Sequence, residues 1–289
     1  MKILIYGSTG WIGRATLKYL AENFPTSDIT LVSSAKKSFK YKDKTYQVFD
    51  NSYLNSIKDR EYDYFFNYAF PTGYNAVKYS EEDFISITNK IINESSEFIN
   101  KNNIKKTLLT STGAVYWNGT EKETLYSKQK MYQETLTEEI CESTGTKYSI
   151  ARIFALLANH YHSDYDYAFS SFVKQAINNK NIKINSKIKV VRSYLVFDNL
   201  LDYFFNNNTR VFDAWNFNLD IYKLAEAVSM YNNSRITIDD DYFNSKDVNE
   251  YVSKDESFMS NFSEEVKINE IVESIISYTE SEKNMFKYF

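Results

Sequence analysis

The 289-residue chain has one cysteine, two histidines, two prolines and seven glycines. With Cys141 alone, no intrachain disulfide can form, which suits a reducing compartment. His160 and His162 cannot build a zinc site unaided, and no Cys or Glu stands near them at zinc-ligand spacing. They read as loop residues. No run approaches the roughly 18–20 apolar residues of a membrane span. The opening MKILIYGSTG breaks at Gly7, before a signal-peptide core can form. A basic excess is missing as well: 34 Lys+Arg against 38 Asp+Glu leave a net charge of −4, which argues against general nucleic-acid binding. Together these absences predict a soluble, cytoplasmic protein with no membrane and no nucleic-acid partner.

Glycine and proline are also unevenly spread. All of them lie at or before Gly145, so the second half must turn with Asn, Asp and Ser. The first half alternates short apolar runs with longer amphipathic stretches. Ile3–Tyr6, Ile29–Val32, Tyr64–Tyr68, Thr107–Thr110 and Tyr148–Ile153 read as buried strands. Ile12–Phe24, Glu81–Asn102 and Tyr126–Ser143 read as helices. Such alternation predicts a parallel sheet covered on both faces. Beyond Arg152 the pattern loosens, with helices at Tyr167–Asn178, Leu219–Tyr231 and Lys267–Tyr278. Short strands are read at Lys189–Tyr194, Arg210–Ala214 and Arg235–Ile238. The fold class is α/β: a doubly wound, Rossmann-like parallel sheet with a second, smaller mixed α/β domain. Residues 1–154 would bind a dinucleotide and 155–289 a substrate, with some later strands returning to the first domain.

Gly7-Ser-Thr9-Gly10-Trp11-Ile12-Gly13 follows the first strand and opens the first helix. Gly7 permits a tight turn, Gly10 lets the backbone approach a pyrophosphate, and Gly13 lets helix and strand pack closely. The free N–H groups at the helix start favour the anion. A plain turn requiring positive φ would use the same residues. Thr9, Trp11 and Ile12 join the glycines as candidate cofactor contacts. The second strand ends in Ser33-Ser34-Ala35-Lys36-Lys37, where an NAD enzyme usually places a carboxylate for the ribose 2′-hydroxyl. Ser33, Ser34 and Lys36 would accept a 2′-phosphate instead, so NADP is preferred over NAD. The plain alternative is that Lys36 and Lys37 simply form a solvated loop.

Tyr126-Ser-Lys-Gln-Lys130 is a second signal. On a helix, positions i and i+4 share a face, so phenol and ammonium point the same way. A neighbouring fixed positive charge stabilises the phenolate, which otherwise forms only near pH 10. With 25 tyrosines in the chain, chance YxxxK matches are expected. Position strengthens this one: a predicted strand runs into Ser111-Thr112-Gly-Ala-Val-Tyr116, and the Tyr126 helix comes next.

In these segments the chain resembles the extended short-chain dehydrogenase/reductases, the NAD-dependent epimerase/dehydratase family. The GxxGxxG spacing, Ser111, Thr112, Val115, Tyr116, Tyr126 and Lys130 carry the likeness. Phe66-Asn67-Tyr68-Ala69 resembles the family's "HLAA" strand end beside the nicotinamide ribose. Asn89 matches a structural asparagine, and Arg152-Ile-Phe154 an "R-x-F" strand. Lys189–Asp198 is similar to a segment whose arginine grips a nucleotide diphosphate. Bottom-up, Arg192 is either a phosphate ligand or half of an ion pair.

The resemblance implies an NAD(P)-dependent enzyme acting at carbon 4 of a nucleotide-linked sugar, in polysaccharide biosynthesis. Tyr126 would pass the proton, Lys130 would tune it and bind the nicotinamide ribose, and Thr112 would hydrogen-bond the reacting oxygen. Ser111 and Ala69 would contact cofactor, and Thr112 and Arg192 substrate. It also implies a homodimer, here through the Glu81–Asn102 and Tyr126–Ser143 helices. There are departures. Trp117 replaces a glycine, and Ala155 replaces an asparagine that contacts the nucleotide sugar. Gly113 and Ala114 stand where dehydratases carry an Asp-Glu pair, so dehydration is not expected. The leading expectation is a 4-keto-sugar reductase; the alternatives are a 4-epimerase, an NADP-sensing protein of the same fold, or a reductase of small free carbonyls. No metal site is expected, and the tyrosines at 161, 165 and 167 read as packing residues.

Overall fold

The computed structural model describes residues 1–34, 37–72, 78–159, 167–261, 267–281 and 287–288. In chain order the first elements are β1 (Lys2–Tyr6), α1 (Trp11–Asn23), β2 (Asp28–Ser33), β3 (Lys37–Tyr41), β4 (Lys44–Asp50), α2 (Asn51–Ser56), β5 (Glu61–Asn67), α3 (Glu81–Lys101), β6 (Asn103–Thr112), α4 (Leu125–Thr144) and β7 (Lys147–Ile153). There follow β8 (Ala155–Leu157), α5 (Ala168–Ile177), β9 (Ile182–Lys183), β10 (Lys189–Val196), α6 (Phe197–Asn206), β11 (Val211–Ala214), β12 (Phe217–Asp220) and α7 (Ile221–Met230). Last come β13 (Ile236–Thr237), α8 (Asp241–Asn244), β14 (Val248–Tyr251), α9 (Ile268–Ser281) and β15 (Lys287–Tyr288).

The two longest helices have clear local causes. Ser80 caps α3 by accepting the Asp83 N–H, acidic Glu81, Glu82 and Asp83 fill its first turn, and Lys101 its last. Helix α4 begins with a capping box between Thr124 and Ser127 and ends at Gly145 in the left-handed conformation.

The chain divides into two compact units. The first comprises Met1–Arg152, Leu200–Phe212 and Met285–Phe289. Its sheet has nine strands in the order β11-β7-β6-β5-β1-β2-β4-β3-β15. β1 pairs in parallel with β2 and β5, β2 with β4, and β5 with β6. β3 and β15 close one edge antiparallel. Side chains alternate between the two faces of a strand. On one face Leu4, Tyr6, Phe65, Leu109 and Ile150 form a core with Leu54 of α2, Phe98 and Ile99 of α3, and Cys141 of α4. On the other, Tyr64 and Phe66 meet Phe204 and Phe205, and Phe205 stacks on Tyr19 of α1. Burial pushes the Cys141 thiol up to about 12, so it is an inert core side chain.

The second unit is Ile153–Asn199 and Asp213–Asn284. Its main sheet runs β12-β10-β14, with β8 also pairing β10, and a separate parallel pair joins β9 to β13. Helix α7 packs against α5 and α9.

Candidate dinucleotide site and acid–base pair

The glycine turn sits at the carboxyl end of β1, where a parallel sheet binds ligands. Gly7 has φ +88, and a Cβ there would lie 2.6 Å from the Ala69 nitrogen just past β5. A Cβ on Gly13 would lie 2.5 Å from the Gly7 carbonyl oxygen and 2.6 Å from Ser8 Cα. Both positions therefore exclude any side chain. Gly10, the N-cap of α1, is less crowded: its nearest contact would be the Gly7 oxygen at 3.3 Å. The Val32 carbonyl accepts the N–H groups of Gly7 and Ser8, tying the turn to β2. The Thr9 hydroxyl lies 2.5 Å from that of Ser33 at the end of β2. Trp11 is buried, Ile12 half-buried and Ser34 exposed. Lys36 falls outside the described residues, as do His160, His162, Tyr161 and Tyr165.

Two strands away, β6 ends in Ser111 and Thr112. Among the described residues the buried Ser111 hydroxyl has no hydrogen-bond partner. Thr112 caps a single 3₁₀ turn, Gly113–Trp117, by accepting the Ala114 N–H at 3.2 Å. Gly113 and Ala114 present no proton-transferring group. Lys130 is 5% exposed. Its Nζ donates to the Thr110 carbonyl and to Gln133 Oε1, each at 3.0 Å. Burial lowers the Lys130 ammonium to about 7, partly offset by the Glu134 carboxylate. The expected fixed cation is therefore one poised near neutrality.

Tyr126 and Lys130 meet on one aromatic ring. Phe70 packs T-shaped on Tyr126 at 5.9 Å, and Lys130 Nζ sits 4.0 Å from the Phe70 ring centre. Since Phe70 follows Ala69, a continuous path runs from the Gly7 turn through Ala69 and Phe70 to the phenol and the ammonium. Arg152 forks onto Glu134, with Nη2 2.7 Å from Oε2, and also donates to the Tyr116 hydroxyl. That is an architectural ion pair. Arg192, in the second unit, donates from Nη1 to the carbonyls of Val191 and Asn249. Among the described residues no carboxylate pairs with it, so the ion-pair alternative is not realised there.

Three residues escaped sequence reasoning. Phe70 and Gln133 are unremarkable letters in a chain with 21 Phe and 25 Tyr. Asp50 is the cross-strand partner of Ser33 in the β2–β4 ladder. The Asp50-Asn-Ser start of a short helix was the available signal, because Asp50 caps α2 through the Ser52 N–H.

A doubly wound sheet with a glycine turn at the end of β1 defines a dinucleotide-binding α/β protein. The chain belongs to the NAD dependent epimerase/dehydratase family, an enzyme family whose sequence pattern matches residues 3–206. A comparison with curated proteins found no match. Among solved structures, the chain is similar to the UDP-glucose 4-epimerase of Thermotoga maritima, solved with UDP-glucose: TM-score 0.72, 14% identity, covering 97% of this chain and 99% of that one. A UDP-N-acetylglucosamine 4-epimerase from Methanobrevibacter ruminantium, in complex with UDP-N-acetylmuramic acid, matches with TM-score 0.69, 16% identity and coverage of 97% and 98%. The dTDP-glucose 4,6-dehydratase of Bacillus anthracis, in complex with NAD, gives 0.69, 13%, and 99% and 98%.

Proposed function

We propose that the protein is a nucleotide-sugar 4-epimerase working with NAD. The observation that carries the reading is the unbroken path from the glycine turn to the Tyr126–Lys130 pair. The cofactor fits the residues present. Gly7 and Gly13 leave no room for side chains, Gly10 opens α1 with only backbone, and among the described residues the buried Ser111 hydroxyl has no partner. Gly7, Thr9, Gly10, Trp11, Ile12 and Gly13 would hold the diphosphate, Ser33 and Ser34 the adenine ribose, and Ala69 and Ser111 the nicotinamide end. When bound, the dinucleotide supplies a reversible hydride acceptor at its nicotinamide. Tyr126 takes the proton from the sugar 4-hydroxyl and later returns it. Thr112 orients that oxygen, and Lys130 sets the phenol's acidity by its charge. Arg192, a half-buried guanidinium that no carboxylate pairs with among the described residues, is suited to the substrate diphosphate.

Two further observations bear on the choice of chemistry. Gly113 and Ala114 supply no acid or base for removing water, which disfavours dehydration. Ser33 carries no charge to repel a 2′-phosphate, and that supports a second reading, an NADPH-dependent 4-keto-sugar reductase. We also infer a homodimer through α3 and α4; light scattering at the monomer mass would refute it.

The test is to incubate the purified protein with NAD and UDP-glucose or UDP-galactose and follow interconversion by chromatography. Tyr126→Phe should lower turnover by roughly 10²–10⁴-fold and leave NAD binding intact. Undiminished activity in that variant refutes the assignment. NADPH consumption with a nucleotide-linked 4-keto-6-deoxyhexose, without epimerisation, would favour the reductase.

A further inference from the structure

A buried ammonium must satisfy three N–H bonds. Lys130 directs two of them to Thr110 O and Gln133 Oε1. Among the described residues its remaining contact is the face of Phe70, 4.0 Å from Nζ to the ring centre. That ring is itself held, T-shaped to Phe84 of α3 at 6.3 Å and 77° and to Tyr126 at 5.9 Å and 78°. Phe84 is 1% exposed, so the anchor is rigid.

We propose that Phe70 is a positioning residue for the Tyr126–Lys130 pair, its π face completing the ammonium's surroundings while its ring sets the orientation of the phenol. The inference rests on the acid–base reading of that pair. The quadrupole of an aromatic ring puts negative potential on its face, and a desolvated cation gains most from it. Among the described residues one charged group acts on Lys130. Glu134, one turn further along α4, is the charge acting on it, and Glu134 is tied to Arg152 of β7. The Tyr126 phenol lies one turn before it. Without the ring, the ammonium would keep two hydrogen bonds in a dry site and lose protonation. Phe70 therefore holds the ammonium's charge near the balance at which it can respond to the phenol.

The experiment is a titration of Lys130 by NMR in the full chain labelled at lysine Cε, with the resonance assigned by its loss in Lys130→Met. Burial lowers the Lys130 ammonium to about 7, so the wild-type midpoint is expected well below the ordinary lysine range. Phe70→Leu keeps the apolar bulk and removes the π face, so the midpoint should fall by about 0.5–1 pH unit. Phe70→Tyr keeps the face and should titrate like wild type. Because leucine could repack the site, progressively fluorinated phenylalanine at position 70 gives an isosteric series, in which the midpoint should fall as fluorines drain the ring face. A flat fluorination series, or Leu and Tyr variants moving together, overturns the proposal. In the epimerase assay Phe70→Leu should lower kcat about tenfold with KM nearly unchanged, and Phe70→Tyr should restore it. Absent turnover in the wild type defeats the acid–base reading, whereas the titration still decides the role of Phe70.

Discussion

Ser33 and Asp50 face each other across the β2–β4 ladder, so a carboxylate stands one strand away from the residue that ends β2. Where the sequence puts an uncharged serine, the sheet brings a negative charge from elsewhere. We infer that this charge would oppose a 2′-phosphate and favour NAD. Asp50→Asn keeps the cap on α2, because Asn caps as well as Asp, and removes the charge. The NAD-over-NADP preference should fall by about tenfold, the scale of one charge interacting at short range in a partly wet site. Calorimetric titration of both dinucleotides checks this, and an unchanged ratio means Asp50 takes no part in selection.

The glycines of the turn should separate stability from binding. Gly13→Ala drives a Cβ into backbone at 2.5–2.6 Å and should destabilise by about 1–3 kcal/mol. Gly10→Ala meets only one atom at 3.3 Å, so its melting temperature should stay close to wild type while dinucleotide affinity drops. Thermal melts beside binding titrations test the pair; equal destabilisation by both would contradict the packing described.

Most of the first unit was legible in the sequence. Buried parallel strands need continuous apolar runs, and β1, β2, β5, β6 and β7 all lie on the expected ones. The hairpin β3–β4 was not legible, because KSFKY and KTYQVFD mix lysines with aromatics and resemble a solvated loop. Helix α6 was hidden as well. Phe197–Asn206 continues β10 without a glycine or proline to mark the join, and its burial depends on Tyr64 and Phe66, far away in the chain. The site divides in the same way. Gly7 and Gly13 announce themselves by spacing and Tyr126 and Lys130 by their place after the strand that ends in Ser111-Thr112, whereas Phe70 and Asp50 acquire meaning from tertiary neighbours.

Lys130 should also imprint itself on stability against pH. Its folded value of about 7 lies below the ordinary 10.5, so between those limits the unfolded chain binds the extra proton. The penalty is full below about pH 7 and disappears as pH rises toward 10.5. Lys106, lowered by burial to about 8, acts in the same direction over a narrower window. Wild type should therefore gain on Lys130→Met by about 1.4 kcal/mol per pH unit above 7. Urea denaturation at pH 7 and 9 measures the difference, and a constant gap between the two proteins would disprove it.

The Arg152–Glu134 fork is a test of buried charge. Glu134 is 3% exposed at its side chain and Arg152 17%. Arg152→Met should cost about 3–5 kcal/mol by leaving the carboxylate buried alone. Adding Glu134→Met should recover much of that loss. A double-mutant cycle by chemical denaturation decides it; additive losses would mean the pair is not coupled.

The Lys106 side chain reaches from the middle of the sheet to the carbonyls of Phe204 and Asn207, at the end of α6. A ribosome that has released only residues 1–152 has therefore made a half-dressed sheet. Its lysine lacks acceptors, and the aromatic surface of Tyr64 and Phe66 is bare. Full packing of the amino-terminal half is expected only once residue 212 has emerged, because Leu200–Phe212 belong to the same compact unit. Anyone cutting this protein into separately expressed halves should expect the front half to need the 200–212 segment, supplied in the same chain or added back as a peptide.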